Sequence, residues 1–208
     1  TVATLDISWN ATPDATSYQL FRNAVSIYIG SALAFTDTSL SAATTYVYTV
    51  AASNSQGAGP NSVSVNGTTV PSTPTGLAVA GATETSLVVS WNASTGATSY
   101  ELYRDGTLAY TGGGTTFTDT GRAGGTTYSY IVQSSSASGS SPQSSAAAGI
   151  TIPSNPGGLS VDAQSETTLD LSWNPTTGTT SYELYRDSVL IFVDATNQLS
   201  FADTGLRS

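Results

Sequence analysis

Tryptophan occurs three times in this chain of 208 residues, at Trp9, Trp91 and Trp173, and both intervals are 82 residues (91 − 9 and 173 − 91). The neighbours keep the same period. ISWN at 7–10, VSWN at 89–92 and LSWN at 171–174 are followed by TSYQLFRN at 16–23 and TSYELYRD at 98–105 and 180–187. A fixed period of this length means one module copied in tandem, each copy burying its own small core. Length alone allows one or two domains; the repeat replaces that with two and a half modules.

Within each copy the apolar residues alternate. Leu5, Ile7 and Trp9 share one face, as do Leu87, Val89 and Trp91, and Leu169, Leu171 and Trp173. A period of two is the mark of a half-buried strand. The next strand turns Tyr100 and Leu102 inward and Glu101 and Tyr103 outward. Turn residues follow at Asn23-Ala24, Asp105-Gly106 and Asp187-Ser188, a hairpin signal. A variable strand (VSIYIG, TLAYTG, VLIFVD) leads to FTDTSL, FTDTGR or FADTGL. Two copies then continue through TTYVYTVAASN and TTYSYIVQSSS to a closing Ser- and Ala-rich strand that ends at Val70 and Ile152. No segment carries helical periodicity, so the expected class is all-β with sandwich architecture. Pro71-Ser72-Thr73-Pro74 and Pro153-Ser154-Asn155-Pro156 read as short, stiff linkers.

Net charge is −9, with no His, Cys, Met or Lys. An acidic surface of this kind repels nucleic acid and anionic lipid, so neither is an expected partner. The missing cysteine excludes disulfides and thiolate metal sites. No apolar run is long enough to insert in a membrane. The chain opens TVATLDISWN, without Met or leader, which reads as a mature product or fragment.

These residues resemble tandem fibronectin type III modules in the style of bacterial secreted or surface proteins. The resemblance rests on the strand tryptophan, the Tyr-x-Leu pair after it, and a corner in which Leu40 precedes Thr44 by four residues and Tyr46 by six. The second copy keeps Thr126 and Tyr128 but has Arg122 at the Leu place, a change expected to weaken the corner. The resemblance implies tandem immunoglobulin-like sandwiches arranged as a rod, with Trp9, Trp91, Trp173, Tyr46 and Tyr128 as structural core, and the corner hydroxyl bonded to nearby backbone. The expected modules are 1–70, lacking a first strand; 71–152, complete; and 153–208, lacking the last two strands. Either the chain is a window on a longer repetitive protein, or another chain supplies the missing strands.

With no His, Cys or Lys, catalytic options reduce to carboxylates and hydroxyls. Glu101, Tyr103 and Asp105 share an outward face, as do Glu183, Tyr185 and Asp187, but the first copy has Gln19, Phe21 and Asn23 there. A solvated face is the reading, and no catalytic, cofactor or metal site is expected. Tyr103, Tyr110, Tyr185 and Phe192 are candidates for stacking on sugar rings, set against cross-strand packing. Asn10-Ala11-Thr12, Asn66-Gly67-Thr68 and Asn92-Ala93-Ser94 fit the glycosylation acceptor pattern. The expected role is a non-catalytic spacer or adhesive repeat of an extracellular or cell-surface protein, partnered by identical chains in a fibre or by surface glycans. The alternative is a weakly carbohydrate-binding accessory region of a secreted polysaccharide-degrading enzyme.

Overall fold

The computed structural model describes residues 3–206, and its regular elements are all strands. They recur in three runs. The first comprises β1 (Ala3–Ser8), β2 (Ser17–Arg22), β3 (Val25–Gly30), β4 (Ala34–Leu40), β5 (Thr45–Asn54), β6 (Gly57–Ala58) and β7 (Val65–Thr68). The second comprises β8 (Ala78–Ala80), β9 (Ser86–Ser90), β10 (Ser99–Arg104), β11 (Thr107–Gly112), β12 (Thr116–Thr120), β13 (Thr127–Ser136), β14 (Gly139–Ser140) and β15 (Ala147–Ile150). The third comprises β16 (Ser160–Gln164), β17 (Thr168–Ser172), β18 (Tyr182–Arg186), β19 (Val189–Asp194) and β20 (Ser200–Thr204).

Two compact units group these strands. One holds the segment up to Leu77 with Trp91–Thr115 and Ile131–Ala146; the other holds Ala78–Ser90, Thr116–Tyr130 and the chain from Ala147 onward. In the first unit β1 pairs with β4, and a second sheet runs β3-β2-β5-β6 with β7 also on β5. Alternation along each strand leaves one apolar face per sheet, and the two faces bury each other. Tyr18, Leu20, Leu40 and Tyr48 are buried there. Trp9 lies 5.9 Å from Tyr18 and 6.0 Å from Tyr28, and Tyr28 lies 5.3 Å from Phe35, so aromatic rings link the two sheets. The same unit carries the path β11-β10-β13-β14, in which Tyr100 and Leu102 are buried while Glu101 and Tyr103 are half-buried.

In the second unit β12-β9-β8 form one sheet, with Leu87 and Val89 fully buried. β15 pairs with Thr127–Tyr130 of β13. The third run forms β16-β17-β20 and the hairpin β18-β19. Its rings repeat the first run's pattern: Trp173 is 5.7 Å from Tyr182 and 6.5 Å from Phe192, and Phe192 is 4.5 Å from Phe201.

The three hairpins are built alike. Each closes through two residues of positive φ, Asn23-Ala24 (48° and 64°), Asp105-Gly106 (48° and 80°) and Asp187-Ser188 (51° and 65°). That is the twist a two-residue hairpin turn requires. Each also shifts register at the same place, Leu20/Phe21, Leu102/Tyr103 and Leu184/Tyr185. The closing strands end at Thr68 and Ile150, two residues before the expected Val70 and Ile152. The reason is a buried threonine. Thr69 Oγ1 donates to Ser41 O at 2.7 Å and accepts from Thr44 N at 3.0 Å; Thr151 Oγ1 does the same with Ala123 O (2.6 Å) and Thr126 N (3.0 Å). These threonines are drawn onto the corner loop.

Candidate functional site

On the outward face of β10, Tyr103 donates its hydroxyl proton to Glu101 Oε2 at 2.8 Å, and Gln133 Nε2 donates to the same oxygen at 2.5 Å. The bond to Glu101, then burial, holds the Tyr103 phenol above its ordinary range. On β18, Tyr185 donates to Glu183 Oε2 at 2.6 Å, with the residue 56% exposed. Asp105 and Asp187, read from sequence as sharing this face, occupy the positive-φ hairpin turns instead. In the first run Gln19 bonds Ser26 at 3.0 Å, and the turn residue Asn23 accepts Val47 N at 3.0 Å through Oδ1. The face therefore presents a phenol clamped on a carboxylate in two copies and a neutral amide in the other.

Tyr110 and Phe192 occupy a different environment. Tyr110 packs 6.1 Å from Trp91 and its hydroxyl accepts Gly114 N at 3.0 Å. Tyr28 does the same for Ala32 N at 2.9 Å. Glycine two residues later makes room: a Cβ at Gly30 or Gly112 would strike the tyrosine hydroxyl. The third run has Phe192 and Asp194 at these places. Without the hydroxyl, a side chain fits, and the Asp194 carboxylate holds the longer loop by accepting Thr196 N (2.8 Å), Thr196 Oγ1 (2.5 Å) and Gln198 N (2.5 Å). The Thr196 hydroxyl and backbone donors hold its pKa below the usual carboxylate range against the opposing effect of burial.

The candidate acceptors Asn10, Asn66 and Asn92 are all exposed. Asn92 Nδ2 donates to Thr75 Oγ1 at 3.4 Å, and a Cβ at Gly76 would come within 2.5 Å of that nitrogen. An open cleft of about 690 Å³ is lined in the first run by Trp9, Tyr18, Val50, Ala52 and Pro60, among others. No charged side chain lines it. Among the described residues, no three His, Cys, Asp or Glu side chains gather as a metal site.

The sequence reading did not anticipate the buried carboxylates. Asp37, Asp119 and Asp203 are 4%, 2% and 6% exposed. Tyr48 donates its hydroxyl to Asp37 Oδ2 at 2.8 Å, and Tyr130 donates to Asp119 Oδ2 at 2.7 Å. Arg22 Nη1 donates to both Asp37 oxygens at 2.8 and 3.1 Å, and Arg186 Nη1 to both Asp203 oxygens at 2.9 Å. The signal was present: the same Asp and the same Arg recur at corresponding places in the copies. A buried charge requires such partners.

Beside each of the first two carboxylates lies the corner. Tyr46 hydroxyl accepts Ser41 N at 3.0 Å, and Tyr128 hydroxyl accepts Ala123 N at 3.0 Å. Arg122, expected from sequence to weaken the second corner, covers the Tyr128 ring with its guanidinium at 5.4 Å, and its Nε lies 3.4 Å from Asp119. Two-sheet topology, the strand tryptophan and this hydroxyl-to-backbone corner decide the class. These repeats have the fibronectin type III fold. No protein-family model matches the chain.

Among curated proteins the chain is similar to exoglucanase B of Cellulomonas fimi, 35% identical over 84% of this chain and 18% of that protein. It is similar to chitinase A1 of Niallia circulans, 33% identical over 59% of this chain and 20% of that protein. A poly(3-hydroxybutyrate) depolymerase of Ralstonia pickettii is 45% identical over 40% of this chain and 17% of that protein. The chain thus spans about a fifth of the length of these relatives. Among solved structures, a two-module fibronectin type III segment from chicken tenascin aligns with 73% of this chain and 94% of its own, at 22% identity and a TM-score of 0.45.

Proposed function

We propose that these modules are a non-catalytic, extracellular spacer within a longer polymer-degrading enzyme, holding its working domains apart. One observation carries the reading: the matched relatives are named for cutting a glucan, chitin and a polyester, polymers with little chemistry in common. A segment shared across them does work that does not depend on the polymer. The modules suit that work, because Arg22 and Arg186 are engaged with the buried Asp37 and Asp203 and the cleft beside Trp9 and Tyr18 is lined by no acid or base. The module boundaries we assign are 1–70, 71–152 and 153–208.

The competing reading, a weak glycan-binding face, draws on the exposed ring of Tyr185 and its counterpart Tyr103. Retention of the purified chain on cellulose, chitin and polyhydroxybutyrate powders separates the two. A spacer elutes like an inert protein from all three. Retention on the two polysaccharides but not the polyester, abolished by Tyr103→Ala with Tyr185→Ala, would replace the spacer reading with the glycan-binding one.

A further inference from the structure

We infer that consecutive modules dock through a size-gated contact between the turn position Asp14/Gly96/Gly178 and the corner position Ala43/Gly125. These positions repeat with the 82-residue period: 96 − 14 = 82, 178 − 96 = 82 and 125 − 43 = 82. Within the first compact unit, a Cβ built on Gly96 would collide with the Ala43 Cβ. Within the second, a Cβ on Gly178 would collide with Gly125 O, and one on Gly125 with Thr177 O. The turn of one module therefore meets the corner of the module before it at both seams, with room for one Cβ at the first and none at the second.

The copies themselves separate this cause from backbone conformation. Gly96 and Gly178 have φ of 75° and 71°, a region that favours glycine, yet Asp14 holds the same turn at 59°. Likewise Ala43 sits at 51° where Gly125 sits at 60°. The backbone shape alone accepts a side chain at either position. What changes between copies is the neighbour across the seam. The partner this surface fits is another module of this kind whose corner carries no more than a Cβ, and by the same rule the Asp14 turn is closed to such a corner.

The first seam is also hydrogen-bonded. Thr95 N donates to Ser72 Oγ at 3.0 Å and Ser72 N to Thr95 O at 3.2 Å. Ser134 Oγ donates to Ser72 O at 2.7 Å and Ser138 Oγ to Thr69 O at 3.1 Å. Close approach of turn and corner holds the linker where these bonds form.

Amide hydrogen exchange on the full chain tests the contact, read at Ser72 and Thr95 with Thr98 as an internal reference. Gly96→Ala should raise exchange at Ser72 and Thr95 about tenfold while Thr98 is unchanged, because local opening at the seam does not need the sandwich to unfold. Adding Ala43→Gly removes the colliding atom and leaves the Ala43 Cα, 3.4 Å from the new Cβ, as the nearest neighbour. The double variant should return both amides to within about threefold of the parent. Parental rates in Gly96→Ala, or a double variant as fast as the single one, would overturn the inference. So would a loss of protection at Thr98 that the second change does not reverse.

Discussion

The first and second corners place a guanidinium over the corner tyrosine from different positions in the chain. In the first module Arg22, from β2, reaches Asp37 and covers the Tyr46 ring at 5.5 Å, while Leu40 is buried at the corner. In the second, Arg122 stands at the Leu40 place and covers Tyr128 while approaching Asp119. Both keep the inner tyrosine hydroxyl on the carboxylate. The two share a demand: a carboxylate taken from water must meet a hydroxyl and a cation, and the tyrosine ring accepts a guanidinium above it.

Removing the carboxylate breaks the comparison hardest. Asp37→Ala leaves the Tyr48 hydroxyl buried without its acceptor and the Arg22 charge without its partner, and should cost about 3 kcal/mol in urea unfolding of the first module. Exchanging the corner residues is the next test. Leu40→Arg brings a second cation to a site that Arg22 already serves and removes a buried side chain, for a loss of about 2 kcal/mol. Arg122→Leu removes a partly exposed ion pair and a ring contact, for about 1 kcal/mol or less. Equal losses in the two exchanges would mean that Leu40 and Arg122 matter equally to their corners.

The hydroxyl adds a pH dependence. Burial, and then the bond to Asp37, raise the Tyr48 phenol well above its ordinary value of 10. The unfolded chain therefore sheds this proton as pH passes about 10 while the folded module retains it. The contribution is fully present below pH 10 and is lost as pH rises toward the folded-state value. Stability curves measured from pH 8 upward should show Tyr48→Phe less stable than the parent at pH 8 and less steeply destabilised above pH 10. A parallel fall in both proteins would remove Tyr48 as its source. The smallest expected effect lies in the hairpins. Ala24 holds φ of 64° where the second hairpin has Gly106 at 80°, so Ala24→Gly should stabilise the first module by about 0.5–1 kcal/mol in the same urea assay.

Much of the fold was legible. The tryptophan interval, the two-residue alternation and the turn pairs each follow from local rules, and they located strands and hairpins; the Tyr46 and Tyr128 corners followed from the resemblance to fibronectin type III modules. Arg122 was harder to read because its value depends on Asp119 and Tyr128, which meet it only in three dimensions. Tyr110 and Phe192 alternate like surface residues, yet the register shift in each hairpin accompanies rings that face the tryptophan. For the candidate interaction face, Glu101 with Tyr103 and Glu183 with Tyr185 were visible as outward pairs. Asp105 and Asp187 were legible as turn residues, and their backbone angles confirm the turns.

By itself, the sequence determined that this protein is a tandem array of small β-sandwiches, because strand alternation and turn chemistry act over a few residues and repeat with every copy. Tertiary structure decided which polar groups are buried, which arginine serves which carboxylate, and why Gly96 and Gly178 stand where Asp14 is tolerated. Those outcomes depend on atoms brought together from distant positions, and closeness across a fold is not a property of any local stretch of chain.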